Sequence, residues 1–512
     1  MSTDSDSAPV GPDFSLGVYA STIPEDGVYA GHVSGEAIIV ARTRDGIVAL
    51  GGACTHYSGP LHEGLRVGDT INCPLHHACF DLRTGRALKA PALAPVARWK
   101  VEEEGGKVFI REAMPDEAAP SPALMADKHF VIVGGGASGF AAAQRLRDHG
   151  FAGKLTMISS DVDAPYDRPN VSQDYLAGTA EPEWMPLKDE AFYADLKIEL
   201  KLGVVVRSID VASRSVVLES GAPLIYDKLL LATGAEPIRP SAPGFDPPHV
   251  HTLRSMKDAE RVIADVSAED VVAVIGSSFI GLEAAASLRH RGARVHVIGP
   301  ELIPLRSKFG PSIGTMIKAL HEANGVVFHL GRRAEGYADG AVQLDDGTSV
   351  RATRVVLGIG VKPRLELAEA AGVHIDRGVV VDKTMRSSDP NIFATGDIAR
   401  YPGAHGEPAR VEHWVLAERH GQVAAAGMLD IDDPFEEPPF FWSVHYDTTI
   451  RYVGHAEDWD AIREEGSVAD KDAEVRYEKD GRVIAVATVN RDMDSLRAAE
   501  MLKEALGRKD AQ

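Results

Sequence analysis

The sequence predicts a multidomain protein: a small β-rich N-terminal domain, a longer α/β region built around two glycine-rich strand–turn–helix units, and a C-terminal α+β domain. Three observations predict this class. Cysteines and histidines are concentrated in two short loops between residues 54 and 76. Apolar runs alternate with helical patterns from about residue 128 to 430, which is typical of parallel βαβ units. After residue 431, short β-like runs precede one closing helical segment.

Changes in composition along the 512 residues indicate where these parts begin and end. The first residues are polar and acidic, and the Ala- and Pro-rich stretch before the α/β region has no periodicity, which is typical of a linker. We therefore expect a flexible tail at 1–14, the β-rich domain at 15–113, a linker at 114–126, the first α/β domain at 127–245, the second at 246–365, a return to the first at 366–430, and the C-terminal domain at 431–512.

Charge and composition exclude several classes of protein. The net charge of −21 disfavours nucleic acid or an anionic membrane as a partner, because both require a basic surface. No apolar run approaches the roughly 20 residues that span a bilayer, and the N-terminus lacks the features of a secretion signal. We therefore expect a cytoplasmic protein without a membrane partner. The three cysteines fall within 26 positions, a clustering that favours metal binding over a disulfide framework.

The two Cys/His loops read C-x-H, sixteen residues, then C-x-x-H, and their candidate ligands are Cys54, His56, Cys73 and His76. A mixed set suits a 2Fe–2S cluster in which two cysteines hold one iron and two histidines hold the other. A zinc site is the alternative, although zinc fingers usually pair cysteine with cysteine and histidine with histidine. The loops closely resemble the Rieske family, including Pro74. That family's high-potential members carry an additional cysteine in each loop, so the resemblance here implies the lower-potential ferredoxin type.

The segment HFVIVGGGASGFAAAQRL predicts a buried strand, a glycine turn and a helix. Gly134, Gly136 and Gly139 occupy the positions that allow a tight turn, close approach of a pyrophosphate, and packing of the helix on the strand. The helix begins at Ala137 and Ser138, so its partly positive N-terminus would face the phosphates. This unit predicts a dinucleotide site.

The segment VVAVIGSSFIGLEAAASL repeats that pattern. Gly276 and Gly281 hold the first and last glycine positions, Ser278 replaces the middle glycine, and the helix begins with Phe279 and Ile280. A structural turn without a ligand is the alternative for this unit. Two units in one chain nevertheless favour two bound dinucleotides.

The acidic residue that holds an adenosine ribose normally ends the second strand of such a unit. In the first unit, Ser160 holds this place and Asp161 follows it. In the second unit, Glu301 lies two residues after the corresponding place. We expect NADH as the donor. Arg306 and Lys308 follow and could hold a 2′-phosphate, so NADPH stays open.

Six further segments resemble the two-dinucleotide flavoprotein disulfide reductase superfamily: APYDRPNVSQDYLAG, YDKLLLATGAEP, VVLGIGVKPR, NIFATGDIA, RVEHWVLAERHGQVAA and PFFWSVHYD. Within it they are similar to oxygenase-coupled ferredoxin reductases and apoptosis-inducing-factor-like proteins, over residues 128–512. The resemblance implies FAD in the first unit and NAD(P)H in the second. It adds candidate cofactor-binding residues: Arg168, Ala232, Thr233, Gly234, Gly360, Gly396, Asp397, Glu412, His413, Trp414 and Trp442. Asp397 is implied to bond the ribityl chain of the flavin.

One position departs from the family pattern. Relatives usually carry a lysine, near the reactive nitrogen of the flavin, where this chain has Gln173, and that lysine pairs with the glutamate found here as Glu283. A buried carboxylate without a cation would be poorly compensated. We expect Gln173 to donate an amide hydrogen bond to Glu283, and we expect flavin reduction to be slower than in relatives.

These parts predict one function. NAD(P)H delivers two electrons as a hydride, a Rieske cluster accepts one at a time, and flavin converts between the two. We expect electrons to pass from NAD(P)H through FAD to the cluster and on to an unidentified acceptor: an oxygenase, a ferredoxin or another redox protein. A slow-turnover redox-sensing flavoprotein of the apoptosis-inducing-factor type is the alternative. The sequence leaves open a homodimer and whether the Rieske domain docks within its own chain.

Overall fold

The computed structural model describes residues 10–115, 124–246, 248–403 and 408–507. Residues 1–9 of the predicted tail, 116–123 of the predicted linker and 508–512 of the predicted C-terminal domain lie outside the described residues. In the described ranges the predicted architecture is confirmed: a β-rich domain, an α/β region with two parallel sheets, and a C-terminal α+β domain.

The N-terminal domain is built from two antiparallel sheets. Its strands are β1 (Val18–Tyr19), β2 (Tyr29–Val33), β3 (Glu36–Thr43), β4 (Gly46–Gly51), β5 (Leu65–Val67), β6 (Thr70–Asn72), β7 (Cys79–Asp81), β8 (Ala87–Lys89), β9 (Arg98–Glu104) and β10 (Lys107–Ala113). They form a six-stranded sheet, in the order β1-β10-β9-β4-β3-β2, and a four-stranded sheet, β5-β6-β7-β8. Thr43 pairs with Gly46, so β3 and β4 form a hairpin whose tight turn contains Asp45.

The N-terminal domain begins slightly earlier than the predicted boundary at residue 15. Phe14 is fully buried, and its ring lies 5.9 Å from that of Tyr29. Beside Phe14, the backbone of Asp13 forms an isolated β-bridge with that of His32. The end of the predicted tail therefore belongs to the folded domain, because the apolar ring of Phe14 fills its core.

The α/β region contains most of the helices. Its elements in chain order are β11 (His129–Val133), α1 (Ala137–Asp148), β12 (Lys154–Ile158), α2 (Asp174–Ala177), α3 (Glu190–Asp195), β13 (Ile198–Lys201), β14 (Val206–Asp210), β15 (Ser215–Leu218), β16 (Leu224–Ile225), β17 (Lys228–Leu231), β18 (Ala235–Pro237), β19 (Val250–Thr252), α4 (Met256–Asp265), β20 (Val271–Ile275), α5 (Phe279–His290), β21 (Arg294–Gly299), α6 (Arg306–Ala323), β22 (Val326–Leu330), β23 (Ala334–Ala338), β24 (Ala341–Leu344), β25 (Ser349–Arg351), β26 (Arg354–Leu357), β27 (Val361–Pro363), α7 (Glu366–Ala370), β28 (Val379–Val380), β29 (Ile392–Ala394), β30 (Ala399–Pro402), β31 (Pro408–Ala409) and α8 (Trp414–Met428).

Two five-stranded parallel sheets organise this region. The first has the order β13-β12-β11-β17-β29 and the second β19-β26-β20-β21-β22. Their strands are apolar on both faces because helices and neighbouring elements cover both sides; Val131 and Ile132, which are adjacent in β11, are both fully buried. The chain leaves the first sheet after β17 and re-enters it at β29, so the second sheet is inserted into the first domain.

Both glycine turns take backbone conformations that require glycine. Gly134, between β11 and α1, has φ +125°, and a Cβ there would lie 2.0 Å from the carbonyl oxygen of Ala232. Gly276, between β20 and α5, has φ +116°, and a Cβ there would lie 2.2 Å from the carbonyl oxygen of Gly358. Each turn brings the N-terminus of a helix to the carboxyl edge of its sheet, where α/β proteins bind ligands.

The C-terminal domain is an antiparallel sheet covered by one helix. Its elements are β32 (Phe440–His445), β33 (Thr448–Gly454), β34 (Ala461–Ser467), β35 (Asp472–Lys479), β36 (Arg482–Val489) and α9 (Asp492–Gly507), and the sheet order is β32-β33-β36-β35-β34. The buried Tyr477 hydroxyl donates to the carbonyl oxygen of Phe309 at 2.9 Å, which ties this sheet to the second α/β domain. Among the described helices, none has both the length and the apolar character that crossing a membrane requires.

The N-terminal domain packs against the α/β region of the same chain and against the segment that follows it. Lys89 pairs with Glu437 at 2.9 Å, and the backbone N–H of Ala90 donates to Gln422 at 3.3 Å. The Arg145 guanidinium donates to the carbonyl oxygen of Leu88 at 3.0 Å. These contacts join β8 and the residue after it to α1, α8 and the segment that follows α8, so the domain is docked within its own chain.

Candidate functional site

A cleft of about 1230 Å³ opens at the carboxyl edge of the first parallel sheet, a volume sufficient for an extended dinucleotide. It brings together segments spread over more than 300 residues, from the β11–α1 turn to β32. The sequence-predicted residues that line it are Gly134, Gly136, Ala137, Ser138, Ser160, Asp161, Arg168, Gln173, Ala232, Thr233, Gly234, Ile280, Glu283, Gly396, Asp397, Glu412, His413, Trp414 and Trp442.

The glycine turn forms one wall of this cleft. Gly136 caps the N-terminus of α1, and the nearest atom to a Cβ placed there is 3.9 Å away, so the backbone is open to a ligand. Gly139 does not line the cleft; a Cβ there would lie 2.0 Å from the carbonyl oxygen of Gly134, so it allows the helix to pack on the turn. These positions fit a pyrophosphate held by the N-terminus of α1.

An ion pair that the sequence did not predict spans the cleft. Arg254, just after β19, pairs with Asp397 at 2.5 Å, although 143 positions separate the two residues. The Nε of Arg254 is buried and has no hydrogen-bond partner in the part of the chain that the structure describes. Buried donors are normally satisfied, so this atom fits an acceptor on a bound cofactor. Only the position of Arg254, immediately before the helix-capping Ser255, could have drawn attention to it.

Asp161 and Arg168 lie near the predicted ribose end of the cleft. The Tyr166 hydroxyl donates to Asp161 at 2.9 Å, and the guanidinium of Arg168 lies over the Tyr166 ring at 5.1 Å. Arg168 also donates to the carbonyl oxygen of Arg254 at 2.9 Å. Both side chains are thus positioned before a ligand arrives.

Glu283 is a buried carboxyl of the cleft, with only 7% of its surface exposed. It accepts hydrogen bonds from Ser443 at 2.7 Å and from Ser172 at 2.9 Å. Burial raises the pKa of Glu283, while hydrogen bonds from Ser443, Ser172 and Gln173, in decreasing order of effect, lower it in part. Of these three hydrogen bonds, the one from Gln173 therefore lowers the pKa of Glu283 least.

A chain of buried polar groups continues from Glu283 away from the cleft. The Ser443 hydroxyl lies 3.1 Å from Nε2 of His445, and Nδ1 of His445 lies 3.2 Å from Nε2 of His321. Burial lowers the pKa of His321 to about 4 and that of His445 well below its usual range, so both imidazoles are neutral at neutral pH. The carboxyl is therefore held by a neutral hydrogen-bonded network rather than by a cation.

Two loops, one after β4 and one between β6 and β7, bring the predicted ligands together as two pairs, Cys54 with Cys73 and His56 with His76. Nδ1 of His56 and Nδ1 of His76 lie 3.1 Å apart, and both cysteines are buried and free of disulfides. Burial lowers the pKa of His56 to about 4, which leaves the imidazole neutral, the form that binds a metal.

The cysteine side of the site is equally suited to iron. A hydrogen bond from Cys54 lowers the pKa of Cys73, and backbone N–H groups of Leu75 and His76 lower it further. A Cβ at Gly59 would lie 2.7 Å from the sulfur of Cys73, so this glycine keeps space open beside the sulfur. Cysteines paired with each other and histidines paired with each other fit a cluster whose two irons take different ligands.

Trp442 connects the two sites. Its side chain lines the cleft, and its ring centroid lies 4.1 Å from that of His76 and 6.4 Å from that of His56. On the cleft side, His413 stacks on Phe441, the neighbour of Trp442, at 3.9 Å. An indole thus fills the space between the predicted flavin site and the predicted cluster ligands.

Most predicted residues of the second unit lie outside the cleft: Gly276, Ser278, Phe279, Gly281, Glu301 and Gly360. Ser278 caps the N-terminus of α5, and its hydroxyl donates to the carbonyl oxygen of Gly358 at 3.0 Å. Glu301 accepts from the backbone N–H of Ser307 at 3.2 Å. Their role in holding NAD(P)H stays a prediction, while Ile280 and Glu283 bring the same helix to the cleft.

Comparison with known proteins agrees with this division of the chain. The Rieske [2Fe-2S] domain family matches residues 16–100, the Pyridine nucleotide-disulphide oxidoreductase family matches 128–421, and the Reductase C-terminal family matches 440–512. Human apoptosis-inducing factor 3 is 32% identical over 476 residues, 89% of this chain and 78% of that protein.

Two reductases are similar to this chain over seven tenths of its length or more. The ferredoxin–NAD(+) reductase component of the anthranilate 1,2-dioxygenase system of Burkholderia cepacia is 36% identical over 374 residues, 71% of this chain and 91% of that one. A crystal structure of the covalent putidaredoxin reductase–putidaredoxin complex superimposes with a TM-score of 0.71 at 32% identity, covering 74% of this chain and 94% of that one.

Fold and site together define a two-dinucleotide reductase joined to an iron–sulfur domain. The chain belongs to the pyridine nucleotide-disulphide oxidoreductase family, among the apoptosis-inducing-factor-like and oxygenase-system ferredoxin reductases, and carries a Rieske domain at its N-terminus. Its cofactors are FAD, NAD(H) and a 2Fe–2S cluster, and it is an oxidoreductase that passes electrons from NAD(P)H through FAD to the cluster.

Proposed function

We propose that this protein is a reductase with a built-in ferredoxin, in which electrons leave the flavin through Trp442 to the cluster of the same chain and then pass to a separate oxygenase or ferredoxin. Trp442 is the residue on which the proposal depends, because it lines the cleft and also contacts His76, a predicted iron ligand, at 4.1 Å. FAD supplies the conversion of a two-electron hydride into single electrons, which the cluster requires.

The residues of the cleft bind, orient and shield. The N-terminus of α1 would hold the pyrophosphate, and Asp397, fixed by Arg254, would orient the ribityl chain. Ile280 and Glu283, which project from α5 into the cleft, would border the place where the nicotinamide meets the flavin ring. Partly buried aromatic rings at His413, Phe441 and Trp442 would exclude water from that place.

The relatives support a protein acceptor. The similar Burkholderia cepacia protein is named for a dioxygenase system, and the similar crystal structure joins a reductase to putidaredoxin. In this chain the Rieske domain is part of the polypeptide and packs on the reductase. We therefore propose that its cluster is the first acceptor of electrons from the flavin, and that an external protein receives electrons from the cluster.

Rapid-mixing spectroscopy of the full-length holoprotein tests the route. With NADH in the absence of oxygen, flavin reduction should be followed by reduction of the cluster, read by electron paramagnetic resonance. In Trp442→Ala, cluster reduction should slow more than flavin reduction does. Trp459→Ala is the matched control, because Trp459 packs on Tyr477, at a centroid distance of 5.1 Å, in the same domain. An unchanged ratio of the two rates in Trp442→Ala would refute the route.

The same experiment separates the proposal from the sensing alternative. An electron-transfer reductase reduces its cluster and then cytochrome c many times per flavin. A sensor would instead hold a long-lived complex of reduced flavin and oxidised nicotinamide with little onward transfer. Comparison of NADH with NADPH in the same instrument identifies the preferred donor.

A further inference from the structure

Arg451 of the C-terminal domain is a buried cation at the boundary with the Rieske domain. It lies in β33, and only 4% of its surface is exposed. Burying a guanidinium is costly unless it is paired and hydrogen-bonded, so its partners indicate what it is for.

The partners of Arg451 lie on both sides of the domain boundary. Its Nε donates to the carbonyl oxygen of Leu75 at 2.9 Å, and its Nη1 pairs with Asp492 at the start of α9. Leu75 lies within the C-x-x-H loop, two residues after Cys73 and directly before His76. The arginine thus reaches from the reductase into the loop that supplies half of the predicted cluster ligands.

The two charges of this ion pair are unequally shielded. The Arg451 side chain is 5% exposed, whereas that of Asp492 is 35% exposed. Interactions in a buried, low-dielectric environment are weakly screened, while those of a solvent-accessible group are weakened by water and ions. The predicted cluster therefore experiences the arginine more strongly than the aspartate.

We propose that Arg451 sets the reduction potential of the cluster by favouring its reduced state. Reduction adds one electron and therefore one negative charge to the cluster, with no atom transferred, and a nearby cation stabilises that added charge. The inference rests on the proposed function, because it requires a working cluster. It means that the reductase domain controls the reduction potential of the cluster to which it passes electrons.

Chemical redox titration of the full-length holoprotein tests this, with dithionite as the reductant and the paramagnetic signal of the reduced cluster as the readout. Arg451→Gln should shift the one-electron equilibrium toward the oxidised cluster by about tenfold, equivalent to about 59 mV. Asp492→Asn should shift it the opposite way, because it unmasks the arginine, and Arg451→Lys should stay close to wild type.

Opposite shifts in the two variants distinguish electrostatic control from a merely structural role. An unchanged potential in Arg451→Gln with an intact cluster signal would overturn the inference, as would shifts of the same sign in both variants. If Arg451→Gln does not retain iron, Asp492→Asn decides alone: a more readily reduced cluster supports the inference, and an unchanged or less readily reduced one overturns it. Because dithionite bypasses NADH and FAD, cluster potentials that shift as expected would stand even if NADH failed to reduce the cluster.

Discussion

Replacing Gln173 with lysine should accelerate reduction of the flavin. In this chain Glu283 is held by Ser443 at 2.7 Å, by Ser172 at 2.9 Å and by the amide of Gln173, and no cation donates to its carboxyl group within the described residues. The resemblance to the family implies a lysine at this position in relatives, near the reactive nitrogen of the flavin. A cation there would stabilise negative charge that develops as the hydride arrives.

The size of the effect on flavin reduction depends on how deeply Glu283 and a lysine at position 173 are buried. Two unit charges about 4 Å apart at an effective dielectric constant of about 20 attract by about 4 kcal/mol. Desolvating the lysine cancels much of this gain. If about 1.4 kcal/mol reaches the transition state, the rate of hydride transfer rises about tenfold.

Stopped-flow absorbance of the anaerobic holoprotein mixed with NADH measures that rate, and Gln173→Met serves as the uncharged control of similar size. A hydride-transfer rate in Gln173→Lys no higher than in wild type would refute the reasoning. So would an equal acceleration in Gln173→Met, because then charge would not be the cause.

The same substitution should change how stability depends on pH. Because the pKa of Glu283 is raised in the folded protein, its contribution to stability is complete below its unfolded pKa and is lost as pH rises through the folded value. A lysine at position 173 lowers that folded pKa and should reduce the loss. Denaturant unfolding of wild type and variant at mildly acidic and mildly alkaline pH measures the difference.

Three further outcomes are expected. Gly59→Ala should lower the iron content, because the new Cβ would lie 2.7 Å from the sulfur of Cys73, a predicted ligand; Gly51→Ala, whose Cβ would have no contact closer than 3.6 Å, should retain it. Although burial alone would raise the pKa of Glu437, Arg419 and Lys89 hold it at about 2 instead of 4.5, so Glu437→Gln should cost about 3 kcal/mol at neutral pH. Denaturant unfolding should show this cost shrinking as the pH falls below about 4.5. Removing the iron with a chelator should abolish NADH-dependent reduction of cytochrome c and leave reduction of FAD by NADH, read by flavin absorbance, intact.

The features that the sequence predicted well are local. A glycine turn between a strand and a helix is encoded within about ten residues, so the turns at Gly134 and Gly276 and their parallel sheets could be predicted from spacing alone. The two Cys/His loops were equally accessible, because each carries its cysteine and histidine within four positions; a Rieske domain is confirmed there, while the four ligands stay a prediction. A backbone conformation that only certain residue types can adopt is directly visible in the sequence.

The contacts between distant segments could not be predicted in this way. Arg254 meets Asp397 across 143 positions, and Arg451 meets Leu75 across 376. In the sequence, the helix-capping Ser255 is the one signal beside Arg254, and nothing beside Arg451 distinguishes it from a solvated surface charge. Their roles depend on how whole domains pack, which is decided by many weak apolar contacts rather than by a motif.

Docking the Rieske domain on its own reductase removes diffusion from the electron-transfer step. A separate carrier must find its reductase at its cellular concentration, and charged encounters of that kind weaken as ionic strength rises. A tethered partner instead is present at an effective concentration in the millimolar range for a short flexible connection, whatever the dilution of the protein. Transfer from flavin to cluster should therefore be first order in this protein and insensitive to salt, so dilution should slow only the delivery of electrons to the external acceptor.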